Sequence, residues 1–178
     1  QSKLAGEQAL KASASNYVIF RTTWVYSLSG KNFPKTILQL AKTRDQLKIV
    51  DDQIGSPTSA ELIADVTALF LARLSNLAKP QNRLNQIYHL SAANSTSWHG
   101  FASFLLAEAG WQKIKLTTKL EQLVAISSEE YKQAALRPKN SRLDCQKLEK
   151  ILSIKMPDWI IHAKRFIQQL SSSSNHAT

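Results

Sequence analysis

The sequence predicts an α/β fold, and three observations carry that prediction. A segment of helical pattern, residues 1–15, runs straight into the apolar run Tyr17-Val18-Ile19-Phe20. Further short apolar runs at 47–50 and 87–90 alternate with segments of helical period. Turn formers and helix caps stand at the joints, among them Asn32, Gly55, Pro57 and Ser97. Helices alternating with short strands make a sheet covered by helices.

Each element has its own signal. In the first helix, Leu4, Ala5, Gln8, Ala9 and Ala12 recur near helical spacing, Lys3 and Glu7 stand at i and i+4, and Asn16 is a stop. Residues 17–20 are rich in strand formers and predict a buried strand. Residues 21–31, polar and aromatic together, predict a loop at the carboxyl end of that strand, where open α/β sheets place ligands. Asn32 caps a helix to about Thr43 with Phe33, Ile37, Leu38, Leu40 and Ala41 as its apolar positions. A strand at 47–50 and a turn-rich loop at 51–58 follow. Thr58, with Glu61 at capping-box spacing, opens a helix on which Leu62, Ile63, Val66, Leu69, Phe70 and Leu74 keep the period. Lys79-Pro80-Gln81-Asn82 breaks the chain before the strand at 87–90, and Ser97 caps a helix through Ala109, closed by Gly110. Beyond it, 114–118 reads as a strand and 125–142 as largely irregular. Helices are expected at 145–152 and 157–170, the latter with Pro157 and Asp158 in its first turn. Residues 171–178 read as a disordered tail.

Composition narrows the function. The chain has 178 residues, 43% of them apolar, which suits one domain or one domain plus a fragment. No apolar run is long enough to span a membrane, and residues 1–10 lack the layout of a secretory signal. The single cysteine, Cys145, excludes an internal disulfide and a multi-cysteine zinc site, and points to a reducing compartment, the cytoplasm. The net charge of +10 comes from dispersed lysines and arginines without a basic run, so nucleic acid is not expected as a partner, whereas a diphosphate ligand suits the charge. His89, His99, His162 and His176 show no metal spacing and read as structural or solvated.

Four segments together carry a resemblance: Gln1-Ser2-Lys3-Leu4-Ala5-Gly6-Glu7; Arg21-Thr22-Thr23-Trp24-Val25-Tyr26; Asp51-Asp52-Gln53-Ile54-Gly55-Ser56-Pro57-Thr58 with Glu61, Leu62 and Asp65; and Arg137-Pro138-Lys139-Asn140-Ser141-Arg142-Leu143. In order and spacing the chain resembles the dTDP-4-dehydrorhamnose reductases of the extended short-chain dehydrogenase/reductase superfamily. The second and third segments are the more specific. The resemblance implies the carboxy-terminal part of a Rossmann-type doubly wound parallel sheet plus a small α/β substrate-binding domain. Residues 1–31 would complete the dinucleotide-binding domain, and 32–170 would be mostly substrate-binding, with strand 87–90 returning to the sheet. It also implies reduction of the ketone of dTDP-4-dehydro-L-rhamnose with NADPH or NADH, and leaves a homodimer open.

The resemblance assigns roles residue by residue. Lys3 matches the lysine of the superfamily's Tyr-x-x-x-Lys motif, which lowers the tyrosine pKa and contacts the nicotinamide ribose. That tyrosine would lie four residues before Lys3, outside this sequence, as would the Gly-rich phosphate loop, so the chain alone is expected not to catalyse. Thr22 and Thr23 would face the nicotinamide, and Trp24 would lie against the sugar. Gln53, Gly55 and Thr58 would approach the nucleotide, beside their plainer role as turn and helix cap. Arg137 would hold the diphosphate with its fork of donors. Glu61 matches a position associated with Mg²⁺, set against a solvent-facing capping residue. Two rivals remain: a non-catalytic regulatory homologue of the methionine adenosyltransferase subunit type, and a sugar epimerase or dehydratase, against which the Arg21–Tyr26 segment counts.

Overall fold

The structure, a computed structural model, describes residues 2–14, 16–76, 84–131 and 137–175. Its elements are α1 (Ser2–Ser13), β1 (Val18–Arg21), β2 (Val25–Tyr26), α2 (Phe33–Ala41), β3 (Leu47–Val50), β4 (Ile54–Gly55), β5 (Thr58–Ser59), α3 (Ala60–Ser75), β6 (Gln86–His89), β7 (Thr96–Ser97), α4 (Trp98–Trp111), β8 (Leu123–Ile126), α5 (Gln146–Leu152) and α6 (Trp159–Asn175). The strands form pairs. β1 with β6, β2 with β5 and β3 with β8 are parallel; β4 with β7 is antiparallel. Parallel partners need long crossovers, and the helices supply them. The α/β architecture with parallel strands is the one the sequence predicts.

α4 organises the interior because it is apolar on two faces. Phe101, Leu105 and Ala109 enter the main core with Phe70 of α3, Tyr88 of β6, Leu148 of α5, and Ala163, Phe166 and Ile167 of α6. Ala102 and Leu106, on its other side, join Ile37 and Ala41 of α2, Leu47 and Ile49 of β3, and Leu123 of β8. Val18 and Phe20 of β1 pack on the main core, where the Phe20 ring meets Phe70 edge-on at 5.4 Å. α1 contributes no buried residue; Leu4 is 54% exposed. Its anchor is a two-pronged ion pair from Arg21 to Glu7, at 2.8 and 2.7 Å.

Several caps match expectation. The Asn32 side chain accepts from Lys35 N at 3.1 Å, and Ser97 Oγ accepts from Gly100 N at 2.8 Å. Other expectations need correction. The cap of α3 is Ser59, whose Oγ accepts from Leu62 N at 3.0 Å, because the Thr58 hydroxyl is engaged elsewhere. β1 is only half-buried, with β6 as its partner along one edge. No strand forms at 114–118: the Thr117 and Thr118 amides both donate to Ala41 O, at 2.8 and 3.0 Å, and so close the end of α2. The strand lies further on, at β8, whose last two residues fall in the stretch expected to be irregular from 125. α4 runs through Gly110 to Trp111, and Lys113 takes the left-handed turn at φ +57°. α6 continues to Asn175, where a disordered tail was expected. The Ser171 and Ser172 hydroxyls bond back to Gln168 O, at 2.8 and 3.0 Å, so the serines satisfy themselves within the helix. The break expected at Lys79-Pro80-Gln81-Asn82 and His176 lie outside the described residues.

Candidate functional site

The site is built around the turn that follows β3. The Asp51 amide donates to Ile126 O at 2.9 Å, which extends the β3–β8 ladder past the strand end. Asp52 then meets Ser128 beyond β8. Its Oδ1 accepts from Ser128 N at 2.9 Å and from Ser128 Oγ, while Lys139 Nζ lies 3.2 Å from Oδ2. The Ser128 hydroxyl, and after it the Lys139 ammonium, holds the Asp52 carboxyl below the usual carboxylate range. Gln53 is almost fully buried and donates from Nε2 to Ser128 Oγ at 3.2 Å. The Ile54 amide donates to Lys139 O, and the Ser141 amide to Ile54 O, both at 2.8 Å. The third and fourth recognised segments, far apart in sequence, thus lie side by side as parallel backbone.

Trp24 packs against this turn at Gly55. It takes φ +46°, a left-handed conformation unusual for a bulky residue. Its indole stacks on Trp98, with centroids 3.5 Å apart and planes 7° apart, and Trp98 in turn leans on Phe33 at 4.4 Å. Gly55 is pressed against the Trp24 ring: a Cβ there would sit 2.6 Å from Nε1. Thr58 N donates to Trp24 O at 3.1 Å.

Thr58 itself is fully buried. Its Oγ1 donates to Ser56 O at 2.9 Å and accepts from Ala92 N at 3.3 Å, so it joins three chain segments and has no face toward solvent. Thr22 is exposed and Thr23 half-buried at the carboxyl end of β1. Lys3 is exposed on α1 and Arg137 is exposed at the start of the 137–142 stretch. Neither makes an ion pair or hydrogen bond with another described residue.

Glu61 faces a guanidinium, an imidazole and an amide donor. Its carboxylate lies 3.6 Å from Arg165 Nη1, 3.9 Å from His162 Nδ1 and 3.4 Å from Gln169 Nε2. This surrounding does not fit Mg²⁺, which needs several oxygen ligands. Among the described residues, no group of three His, Cys, Asp or Glu side chains could hold a metal ion. Beside Glu61, a cavity of about 160 Å³ is lined by Tyr26, Ser27, Ser59 and His162. Burial, and then the Glu61 charge, pushes the Tyr26 hydroxyl well above the usual tyrosine range. A larger cavity, about 260 Å³, is bordered by Ser56 and Asn94 on one side and by Arg142, Cys145 and Glu149 on the other.

Sequence reasoning missed Ser128 and Trp98 as site-building residues, and left Asp52 and Lys139 without roles. Asp52 and Lys139 lay inside recognised segments, which was their signal. Ser128 sits in a stretch that read as irregular, and nothing local announces it.

Residues 1–172 match the model of the RmlD substrate binding domain. The chain belongs to this family. It is 40% identical over 174 residues to a dTDP-4-dehydrorhamnose reductase of Shigella flexneri, covering 98% of this chain and 56% of that protein. With the protein of the same name from Burkholderia thailandensis it shares 41% identity over 160 residues, 89% of this chain and 53% of the relative. The chain therefore spans about half the length of the curated relatives it matches. Among solved structures, it resembles the dTDP-4-dehydrorhamnose reductase of Bacillus anthracis in complex with NADP, with a TM-score of 0.75 and 32% identity over 94% of this chain and 54% of that one. The enzyme of Clostridium acetobutylicum superposes with a TM-score of 0.79 at 30% identity, over 95% and 54%. A UDP-galactose 4-epimerase, 14% identical with a TM-score of 0.68, shares the fold alone.

Proposed function

We propose that this chain is the carboxy-terminal part of a dTDP-4-dehydrorhamnose reductase, a cytoplasmic enzyme that reduces the ketone of dTDP-4-dehydro-L-rhamnose. The observation that carries the reading is the 40% identity to such a reductase across 98% of the chain. The geometry supports it by bringing the third and fourth segments of the resemblance into one hydrogen-bonded unit.

In this reading NADPH or NADH, when bound, supplies the hydride. Lys3 presents a charge that no described residue neutralises, which fits its role beside a proton-donating tyrosine and the nicotinamide ribose. Thr22 and Thr23, at the carboxyl end of β1, stand where α/β sheets receive such a group. Trp24 offers the sugar whatever surface its stack on Trp98 leaves open. Gln53 and Gly55 shape the wall toward the nucleotide, and Arg137, exposed and without a partner among the described residues, holds the diphosphate. Thr58 acts from beneath, by fixing Trp24 and Ser56.

The test is NADPH consumption by the full-length protein with dTDP-4-dehydro-L-rhamnose. Lys3→Ala is expected to lower turnover by roughly 10²–10⁴-fold, the usual weight of proton-transfer catalysis. Absence of turnover in the folded wild type with dTDP bound would move the reading to another sugar. Absence of any nucleotide-sugar binding would favour a regulatory, partner-binding protein.

A further inference from the structure

We infer that Asp52 is a positioning residue, a buckle that sets the 137–142 stretch against β4 and thereby places Gln53 and Arg137. The inference rests on the proposed function only for the role of Arg137. Asp52 sits where three segments meet: the turn after β3, the end of β8, and the 137–142 stretch. One carboxylate oxygen receives both the amide and the hydroxyl of Ser128, and the other faces Lys139 at 3.2 Å. Each contact is passed on. Ser128 Oγ, oriented by donating to Asp52, accepts from Gln53 Nε2 at 3.2 Å. Lys139, drawn in through its side chain, offers its carbonyl to Ile54 N, and Ser141 N closes the ladder on Ile54 O, both at 2.8 Å.

The Asp52 and Lys139 side chains are 29% and 68% exposed, and an ion pair this open stabilises a fold little. What it does hold is register. The 137–142 stretch meets β4 through two backbone hydrogen bonds at Ile54, which together make a single parallel bridge to Asn140, and it includes no regular strand. Without the buckle, a stretch of this kind has little to fix its start, where Arg137 stands two residues before Lys139.

The test uses the full-length protein with dTDP as the probe. In Asp52→Asn, hydrogen exchange at the Ile54 and Ser141 amides is expected to accelerate while the thermal midpoint stays close to wild type. dTDP affinity is expected to fall about three- to tenfold, a size usual for coupled neighbours. Ser128→Ala should reproduce both effects. Arg137→Ala should weaken dTDP binding less in the Asp52→Asn background than in wild type, because Arg137 is already misplaced there. Unchanged exchange at both amides in both variants would overturn the inference. So would full additivity of Asp52→Asn and Arg137→Ala where Arg137→Ala by itself weakens dTDP binding. If Arg137→Ala alone leaves dTDP binding intact, the role proposed for Arg137 is wrong, and faster exchange in Asp52→Asn would still uphold the buckle.

Discussion

At the scale of single residues, Gly55 and Thr58 show how one motif divides its labour. The sequence assigns both to the nucleotide. In the structure Gly55 is glycine because the Trp24 indole occupies the space of a side chain. An indole locked in a stack is not the free end of a flexible chain, so it cannot swing away cheaply. Gly55→Ala is expected to destabilise the protein by about 1–3 kcal/mol, the range for forced overpacking. Near-ultraviolet circular dichroism should lose the signature of the Trp24–Trp98 stack in the same variant. Unaltered spectra and an unaltered unfolding midpoint would mean the ring is free to move. Thr58 is legible as a turn-and-cap residue, yet its hydroxyl serves Ser56 and Ala92 and the cap passes to its neighbour.

At the scale of elements, α3 carries a direct check of that correction. Ser59 Oγ takes the Leu62 amide, one of the unpaired donors of the first turn. Ser59→Ala should therefore lower stability by about 1 kcal/mol, measured by urea unfolding. A variant with wild-type stability would return the cap to another side chain. Helices with their own caps and long apolar stripes, α2, α3 and α4, were legible because their signal is local. β2, β4, β5 and β7 were not: two-residue strands have no periodicity, and only a partner elsewhere in the chain makes them strands. β8 was not legible either: the strand was expected at 114–118 and irregular chain from 125, and pairing with β3 decides where it forms.

At the scale of the whole molecule, Asp52 ties segments distant in sequence and sets a pH dependence. Its carboxyl is held below the ordinary value by Ser128 and then Lys139. A carboxyl depressed in the folded state contributes fully above its unfolded pKa of roughly 3.9, and loses that contribution as pH falls through the folded value. Exchange at the Ile54 and Ser141 amides should therefore reflect an intact buckle at neutral pH and open only in acid, below about pH 4. In Asp52→Asn that acid step should vanish. A wild-type profile whose opening begins instead near neutrality would assign the link to a different group.

The sequence by itself determined the alternation of helix and strand, the caps Asn32 and Ser97, the membership of the family, and the four segments from which a site would be made. Those properties are written in nearest neighbours, helical spacing and motif order. Tertiary structure decided which segments meet. It set Ser128 and Lys139 on the two oxygens of Asp52, laid Trp24 on Trp98, and turned Glu61 toward Arg165 and His162, away from a metal-ligand set. Local pattern carries no information about a partner tens of residues away, because such contacts form only when the two-faced α4 and the parallel pairs close the core.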